Sequence, residues 1–153
     1  MMIENKIIPF YGYGEYNLSM TLEEVRNLLK SKGTPFKQEH WDNSGCTPEV
    51  DWNIIRIGNT LSMFFAKNKM FKMFFESPNK WMLDNGIYIG MTINEATDID
   101  NSIVFNDDEE DFESSKGYWL EESLESGKIE SITIFIEEVL DDEIFYSYEW
   151  IKS

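Results

Sequence analysis

The composition of this chain is that of a folded protein with a strong negative charge. Its 153 residues are enough for one domain, or for two half-size units that share a core, and 42% of them are hydrophobic. The 29 acidic and 13 basic residues leave a net charge of −16. This charge repels nucleic acid and anionic membranes, so we expect neither as a direct partner, whereas it attracts basic proteins. Acidity of this kind can also serve solubility alone.

The cysteine count and the apolar stretches indicate a compartment. A single cysteine, Cys46, excludes an internal disulfide. The first residues lack the basic and apolar segments of a secretory signal, and no apolar stretch is long enough to span a bilayer. We therefore expect a soluble protein of a reducing compartment, most simply the cytoplasm.

The first half of the chain predicts one helix followed by antiparallel strands. Residues 7–14 mix apolar residues with Pro and Gly, which is typical of an irregular lead-in or an edge strand. Thr21 and Glu24 have the spacing of a capping box, so a helix should begin there, and Gly33 should end it. Further strands are predicted from Trp52 onward, with a hairpin formed by residues 60–67 and 69–76.

The second half predicts a shorter helix and three strands. Thr92 and Glu95 repeat the capping-box spacing, but Asp98 and Asp100 interrupt the apolar stripe that should follow. The acidic run 107–111 has the composition of a solvated loop. Strands are predicted at residues 117–122, 128–136 and 143–151. Both halves together predict an α+β fold in which few helices lie against antiparallel sheet.

Two short phrases occur once in each half. Residues 18–25 (LSMTLEEV) return as residues 89–96 (IGMTINEA), and residues 69–75 are echoed, apolar at the same places, by residues 128–134. A repeated helix start followed by a repeated strand predicts two copies of one small unit. The predicted units are two helix-plus-antiparallel-strands units, approximately residues 7–80 and 81–153, packed as a single domain, 1–153.

The residues that usually carry metal or nucleophilic chemistry are scarce. The one histidine, His40, opens a predicted loop segment, residues 40–50, and Cys46 in the same segment has no obvious activating neighbour. Five oxygen-bearing residues approach the spacing of a calcium loop, but Ile103 stands where that loop requires Gly. These five are Asp98, Asp100, Ser102, Asn106 and Glu109. We therefore expect no metal site, no cofactor and no enzymatic activity.

The acidic clusters of the second half lie beside aromatic residues of the predicted strands. Aromatic side chains ringed by carboxylates suit a protein-binding surface, because the rings supply contact area and the acids pair with the partner's Lys and Arg. For each ring a place in the core is an equal alternative. The predicted partner-binding residues are Asp107, Asp108, Glu109, Glu110, Asp111, Tyr118, Trp119, Glu121 and Glu122.

The repeated phrases carry a resemblance to known proteins. A capped helix opened by Leu-x-Met-Thr-x-x-Glu, followed by a hairpin whose second strand begins with Lys, resembles the repeat of the β-lactamase-inhibitor-protein fold and of small outer-membrane assembly lipoproteins. The chain departs from the lipoproteins by lacking a lipobox cysteine. As a small acidic domain it also resembles the immunity proteins of bacterial contact-dependent growth-inhibition and polymorphic-toxin systems.

That resemblance implies binding and neutralisation of a cognate toxin, often a basic nuclease, by covering its active or substrate-binding surface. Two alternatives remain open. One is a non-catalytic structural or regulatory module that binds a component unrelated to any toxin. The other, more distant, is an enzyme that uses two carboxyl groups, which a deep pocket with convergent acids and raised carboxyl pKa values would favour.

Overall fold

The computed structural model describes residues 6–41 and 50–152, which combine three α-helices with antiparallel strands and confirm the predicted α+β class. Cys46 and most of the predicted loop 40–50 lie outside the described residues. None of the helices formed by the described residues is both long enough and apolar enough to cross a membrane.

One eight-stranded antiparallel sheet forms the centre of the fold, with the strand order β4-β5-β6-β7-β11-β10-β9-β8. The strands of the first half run from one edge to the middle, those of the second half run from the other edge, and the last strand of each set pairs with the other. The strands are β4 Lys37–Trp41, β5 Trp52–Ile57, β6 Leu61–Ala66, β7 Lys69–Glu76, β8 Val104–Asn106, β9 Asp111–Ser114, β10 Tyr118–Glu122 and β11 Ile129–Phe135.

The remaining elements lie before, between and after these strands. Three two-residue strands form a small separate sheet at the start of the described chain. One helix precedes the main-sheet strands of each half, and a third follows the last strand between two short 3-10 helices. The elements are β1 Ile7–Ile8, β2 Gly12–Tyr13, β3 Tyr16–Asn17, α1 Leu22–Lys32, α2 Ile93–Ile99, α3 Asp142–Ser147, and the 3-10 helices Glu137–Leu140 and Glu149–Lys152.

Both predicted capping boxes are present. The Thr21 hydroxyl accepts a hydrogen bond from Glu24 N at 3.1 Å, while Glu24 accepts one from Thr21 N at 2.9 Å. Thr92 and Glu95 make the same reciprocal pair at 3.2 and 3.0 Å. The first helix ends at Gly33 as predicted, in the left-handed conformation with φ 67° that Gly adopts without strain.

The two Met-Thr phrases make matching backbone hydrogen bonds. In the first half Ser19 N donates to Met70 O, and Met70 N donates to Met20 O. In the second half Gly90 N donates to Ile129 O, and Ile129 N donates to Met91 O. Each phrase is thus hydrogen-bonded to the start of the last main-sheet strand of its half. The division of the chain into two repeat units stays a prediction.

The two faces of the main sheet differ in polarity. Because side chains alternate along a strand, Met73 and Phe75 on β7 share one face with Ile132 and Ile134 on β11, and all four are inaccessible to water. They join Val25, Leu29, Ile93 and Ala96 of the helices in one core. The opposite face carries Lys72, Ser131, Thr133, Trp119 and Glu121.

The predicted strand at residues 143–151 is wrong. This segment instead forms α3 and the final 3-10 helix. Its aromatic residues fit both the two-residue period of a strand and the spacing of a helix. In the structure Phe145, Tyr148 and Trp150 are buried together while Tyr146 is exposed, as expected for a helical segment that packs by one side. The Asp141 side chain caps α3 by accepting from Glu143 N and Ile144 N.

Three strands of the main sheet were not predicted. Strand β4 includes His40, which was assigned to a loop, and β8 and β9 flank the acidic run. Strands β4 and β8 are the two edges of the sheet, where only one neighbouring strand constrains the pattern, and β9 lies next to the edge strand β8. Strand β4 is mostly polar and exposed, β8 has three residues and exposes Val104 and Phe105, and β9 continues the acidic run. They therefore give little of the alternation of apolar and polar residues that identifies a strand.

Candidate functional site

The acidic run forms a tight turn between β8 and β9. Asp107, Asp108, Glu109 and Glu110 are all exposed, as predicted for a solvated loop. The Asn106 side chain holds the turn, because its Oδ1 accepts hydrogen bonds from the backbone N of Asp108 and Glu109 at 3.0 and 3.1 Å. We call residues 107–110 the acidic turn. Four carboxylates are thus displayed on a turn of defined shape.

Asp111 differs from the rest of the acidic run. It begins β9 and is only 9% exposed, so its assignment to a solvated loop is wrong. Its buried Oδ1 has no hydrogen-bond partner within residues 6–41 and 50–152. A buried carboxyl oxygen without a donor is costly, which makes it a place where a ligand would be favoured.

Glu113 lies beside Asp111 on the same face of β9. The two are separated by one residue, and side chains two positions apart on a strand point the same way. Asn106 Nδ2 donates to Glu113 Oε2 at 3.0 Å. Asn106 therefore couples the acidic turn to the carboxyl pair, because one side chain binds both.

The pKa of Asp111 is raised to about 7. Burial is the main cause, since it disfavours the charged form. The Glu113 carboxyl adds to it, because a hydrogen bond between two carboxyl groups requires one of them to be protonated. The negative charges of Glu109 and Glu121 raise it further. Asp111 therefore exchanges its proton near neutral pH.

A pocket of about 400 Å³ opens beside this pair. Its walls come from three parts of the fold: the acidic turn with β9, the strands β5, β7 and β10, and the C-terminal helical segment. Both aromatic and acidic residues line it. The lining residues are Trp52, Phe71, Lys72, Asn106, Glu109, Asp111, Glu113, Trp119, Val139, Leu140, Asp142, Phe145 and Tyr146.

Lys72 is the basic residue among the described residues that line this pocket. Its Nζ lies 4.3 Å from the centre of the Phe64 ring, a cation–π distance. Burial lowers its pKa, and the charge of Glu121 opposes that change only in part. With four carboxyl groups lining the pocket against one lysine, the site favours positively charged ligands.

The predicted partner-binding residues of β10 lie in different environments. Tyr118 is buried in the core with 1% of its surface exposed, so its ring is not part of the predicted binding surface. Trp119 points to the opposite face, packs on Phe135 with ring centres 4.5 Å apart, and lines the pocket. Glu121 is exposed and accepts a hydrogen bond from Ser131 Oγ at 2.7 Å, while Glu122 is half-buried at the strand end.

The Tyr118 hydroxyl instead binds Asp100, which ends α2. Asp100 is buried and also accepts from Ser114 Oγ at 3.1 Å and Ser102 N at 3.0 Å, and Lys116 Nζ lies 3.3 Å from its Oδ1. Burial acts to raise the pKa of Asp100, but these donors outweigh it and hold the pKa well below the usual value. This network accounts for Asp100 without a calcium ion.

Sequence reasoning found the acidic turn and Trp119 but missed the pocket. Lys72, Glu113, Asp142 and Tyr146 come from separate parts of the chain, and only the tertiary structure brings them together. One local signal was present: Asp111 and Glu113 alternate as strand residues do. It was obscured because Asp111 directly continues the acidic turn.

Among the described residues, no group of three or more His, Cys, Asp or Glu side chains is placed to hold a metal ion. Comparison of the chain with protein-family models, curated proteins and solved structures found no match. The resemblance to the β-lactamase-inhibitor-protein fold and to immunity proteins therefore stays a prediction.

Proposed function

We propose that this chain is a cytoplasmic immunity protein that binds and neutralises a cognate toxin domain, a basic nuclease, by covering its active or substrate-binding surface. The observation that carries the proposal is the position of the acidic turn at the rim of an acidic, aromatic pocket. Glu109 belongs to both features, and Asn106 links them. A basic surface that approached the turn would therefore meet the pocket as well.

The charge distribution supports fast capture of a basic partner. The net charge of −16 creates a long-range field, and exposed carboxylates steer a positively charged protein during encounter. Aromatic side chains then supply desolvated contact area, which slows dissociation. Trp119 and the exposed Tyr146 lie in the pocket wall, where they can make that contact.

Binding alone is sufficient for the proposed role. The partner's cationic nucleic-acid site would be occupied by carboxylates that resemble phosphate in charge and are not cleaved. The proposal therefore includes no catalysis, no cofactor, no direct nucleic-acid contact and no membrane. The residues proposed to contact the partner are the acidic turn, Asp111, Trp119, Glu121 and Glu122. Tyr118 is not among them because it is buried.

The test is co-expression with the product of the neighbouring upstream gene, because immunity genes follow their toxin genes. We expect the chain to restore growth when that gene encodes a toxic nuclease, and to purify with it as a complex. The association rate should fall steeply as salt rises, since exposed charges are screened. Purification of an unrelated protein would favour the alternative of a structural or regulatory binding module.

The pocket also favours a second candidate, an enzyme that uses two carboxyl groups. Asp111 and Glu113 converge in a pocket, and the pKa of Asp111 is raised to about 7, as general acid catalysis requires. A panel of 4-nitrophenyl glycosides and esters tests this reading. Turnover that is lost in Asp111→Asn and kept in Asp107→Asn would establish the enzyme and overturn the proposal of a purely binding protein.

A further inference from the structure

We propose that the pocket beside Asp111 receives the guanidinium group of an arginine side chain on the partner protein. This inference rests on the proposed function, because the toxin domain would supply the arginine. It adds what the acidic surface alone does not specify: the chemical group that is recognised and the residues that recognise it.

One carboxyl oxygen of Asp111 has no hydrogen-bond donor among the described residues. This oxygen, Oδ1, is buried, and the residue lines the pocket. A guanidinium carries five N–H donors in a fixed plane, so it can bind two carboxyl groups at once. Glu113, on the same face of the same strand, provides the second carboxyl group.

Aromatic rings form part of the pocket wall. Trp119, Phe71 and Tyr146 line the same pocket as the carboxyl pair. Guanidinium is planar and weakly hydrated, so it stacks on aromatic rings while its edges bind carboxylates. An ammonium group is compact and strongly hydrated, and gains less from such a wall. The mixed lining therefore favours arginine over lysine.

The pocket has an excess of acidic groups. The charged groups that act on Asp111 are Glu109, Glu113 and Glu121. Asp142 and Lys72 also line the pocket. Lys72, held against the Phe64 ring, supplies one positive charge against these acids, so it offsets them only in part. An incoming cation would complete the compensation.

Cation binding should be linked to proton release. Asp111 is largely protonated below its pKa of about 7, and a guanidinium placed beside it favours the charged form. Binding should therefore tighten as pH rises from 6 to 8. The effect is specific to Asp111, because an exposed carboxylate of ordinary pKa is already ionised over this range.

The experiment uses the full chain and small probes, without any toxin. N-acetyl-L-arginine amide is titrated into ¹⁵N-labelled protein while the Trp119 indole and the β9 amides are followed by NMR. N-acetyl-L-citrulline amide, which has nearly the same shape and no charge, is the control probe. We expect saturable shifts with at least a tenfold preference for the arginine probe, and a tighter complex at pH 8 than at pH 6.

Two variants locate the binding. Asp111→Asn and Glu113→Gln keep the side-chain size, and each should weaken arginine-probe binding at least fivefold; Asp111→Asn should also abolish the pH dependence. The matched control is Asp84→Asn, which removes the same charge from an exposed position outside both the acidic turn and the pocket lining. Equal binding of both probes, or equal weakening by the Asp84 variant, overturns the inference.

Two further comparisons distinguish a protein arginine from a free small molecule, and the pocket inference from the proposed function. Free L-arginine should bind more weakly than the amide, because its carboxylate is repelled; stronger binding would instead assign the pocket to a small molecule. Arginine-probe binding without any toxin partner would contradict only the proposed function. A toxin complex unaffected by Asp111→Asn and Glu113→Gln would overturn only the pocket inference.

Discussion

The hydroxyl of Tyr118 donates a hydrogen bond to Oδ2 of Asp100, which joins β10 to the residue that ends α2. Both side chains are buried, and Ser114, Ser102 and Lys116 supply further donors to the carboxylate. The contact places a negative charge inside the protein, where it is stable only because several donors surround it.

Replacement of Asp100 should destabilise the fold strongly. Asp100→Ala leaves the Tyr118 hydroxyl and two serines without their acceptor, so we expect a loss of about 3 kcal/mol in the free energy of unfolding. Urea denaturation at pH 7 measures it. Asp98→Ala, at an exposed position of the same helix, is the control and should change stability little. Equal effects of the two variants would show that the network contributes nothing.

The same carboxyl should produce acid sensitivity. The pKa of Asp100 in the folded protein is below its unfolded value near 3.9, so its stabilising effect is present above about pH 4 and is lost as pH falls. Wild type and Asp100→Asn should therefore differ most at pH 7 and converge toward pH 2. The unfolding free energy measured across this range checks the sign, and a constant difference would contradict it.

Asp111 should have the opposite effect from Asp100 on how stability depends on pH. Its pKa is raised to about 7, so the folded state binds more protons than the unfolded state between pH 4 and 7, and stability falls as pH rises through that window. Asp111→Asn removes this loss. We expect the variant to exceed wild type by about 1–2 kcal/mol at pH 8, since solvent in the pocket screens part of the effect.

Thermal unfolding at pH 5 and pH 8 measures this difference, with Asp107→Asn as the exposed control. The Asp111 variant should gain on wild type as pH rises, whereas the Asp107 variant should follow wild type. A lower stability of Asp111→Asn at pH 8 would mean that the carboxylate has a donor in the folded protein after all.

The two helix starts should respond alike to loss of their caps. Thr21→Ala and Thr92→Ala each remove a side-chain hydrogen bond at a helix N-terminus, so each should cost about 1 kcal/mol. Chemical denaturation compares them with Thr97→Ala, whose hydroxyl binds only a backbone carbonyl within α2. A loss at one helix alone would contradict the equivalence of the two starts.

Charge reversal of the acidic turn should weaken toxin protection. Asp108, Glu109 and Glu110 changed together to Lys would repel a basic partner, and the association rate at low salt should fall at least tenfold. The control reverses three exposed acids that do not line the pocket, Glu23, Asp84 and Asp98. Stopped-flow binding to the purified toxin domain measures both. Unchanged affinity of the first variant would remove the acidic turn from the interface.

Local sequence was sufficient for the capped helices and the central hairpin. Thr21 with Glu24, and Thr92 with Glu95, identify helix starts because the capping contacts involve residues only three positions apart. The strands β6 and β7 were predicted because a short turn joins two long apolar runs. In these elements the stabilising partners are neighbours in the chain.

Residues 143–151 and the pocket depended on contacts between distant parts of the chain. Whether this segment forms a helix or a strand is settled by the packing of Phe145 and Trp150 against Phe71 of β7, more than 70 positions earlier. Asp111 becomes a buried carboxyl with a shifted pKa only because the folded chain surrounds it with other acids. Burial and electrostatic environment belong to the assembled structure, so a charged residue that reads as solvated in the sequence can lie at the centre of a site.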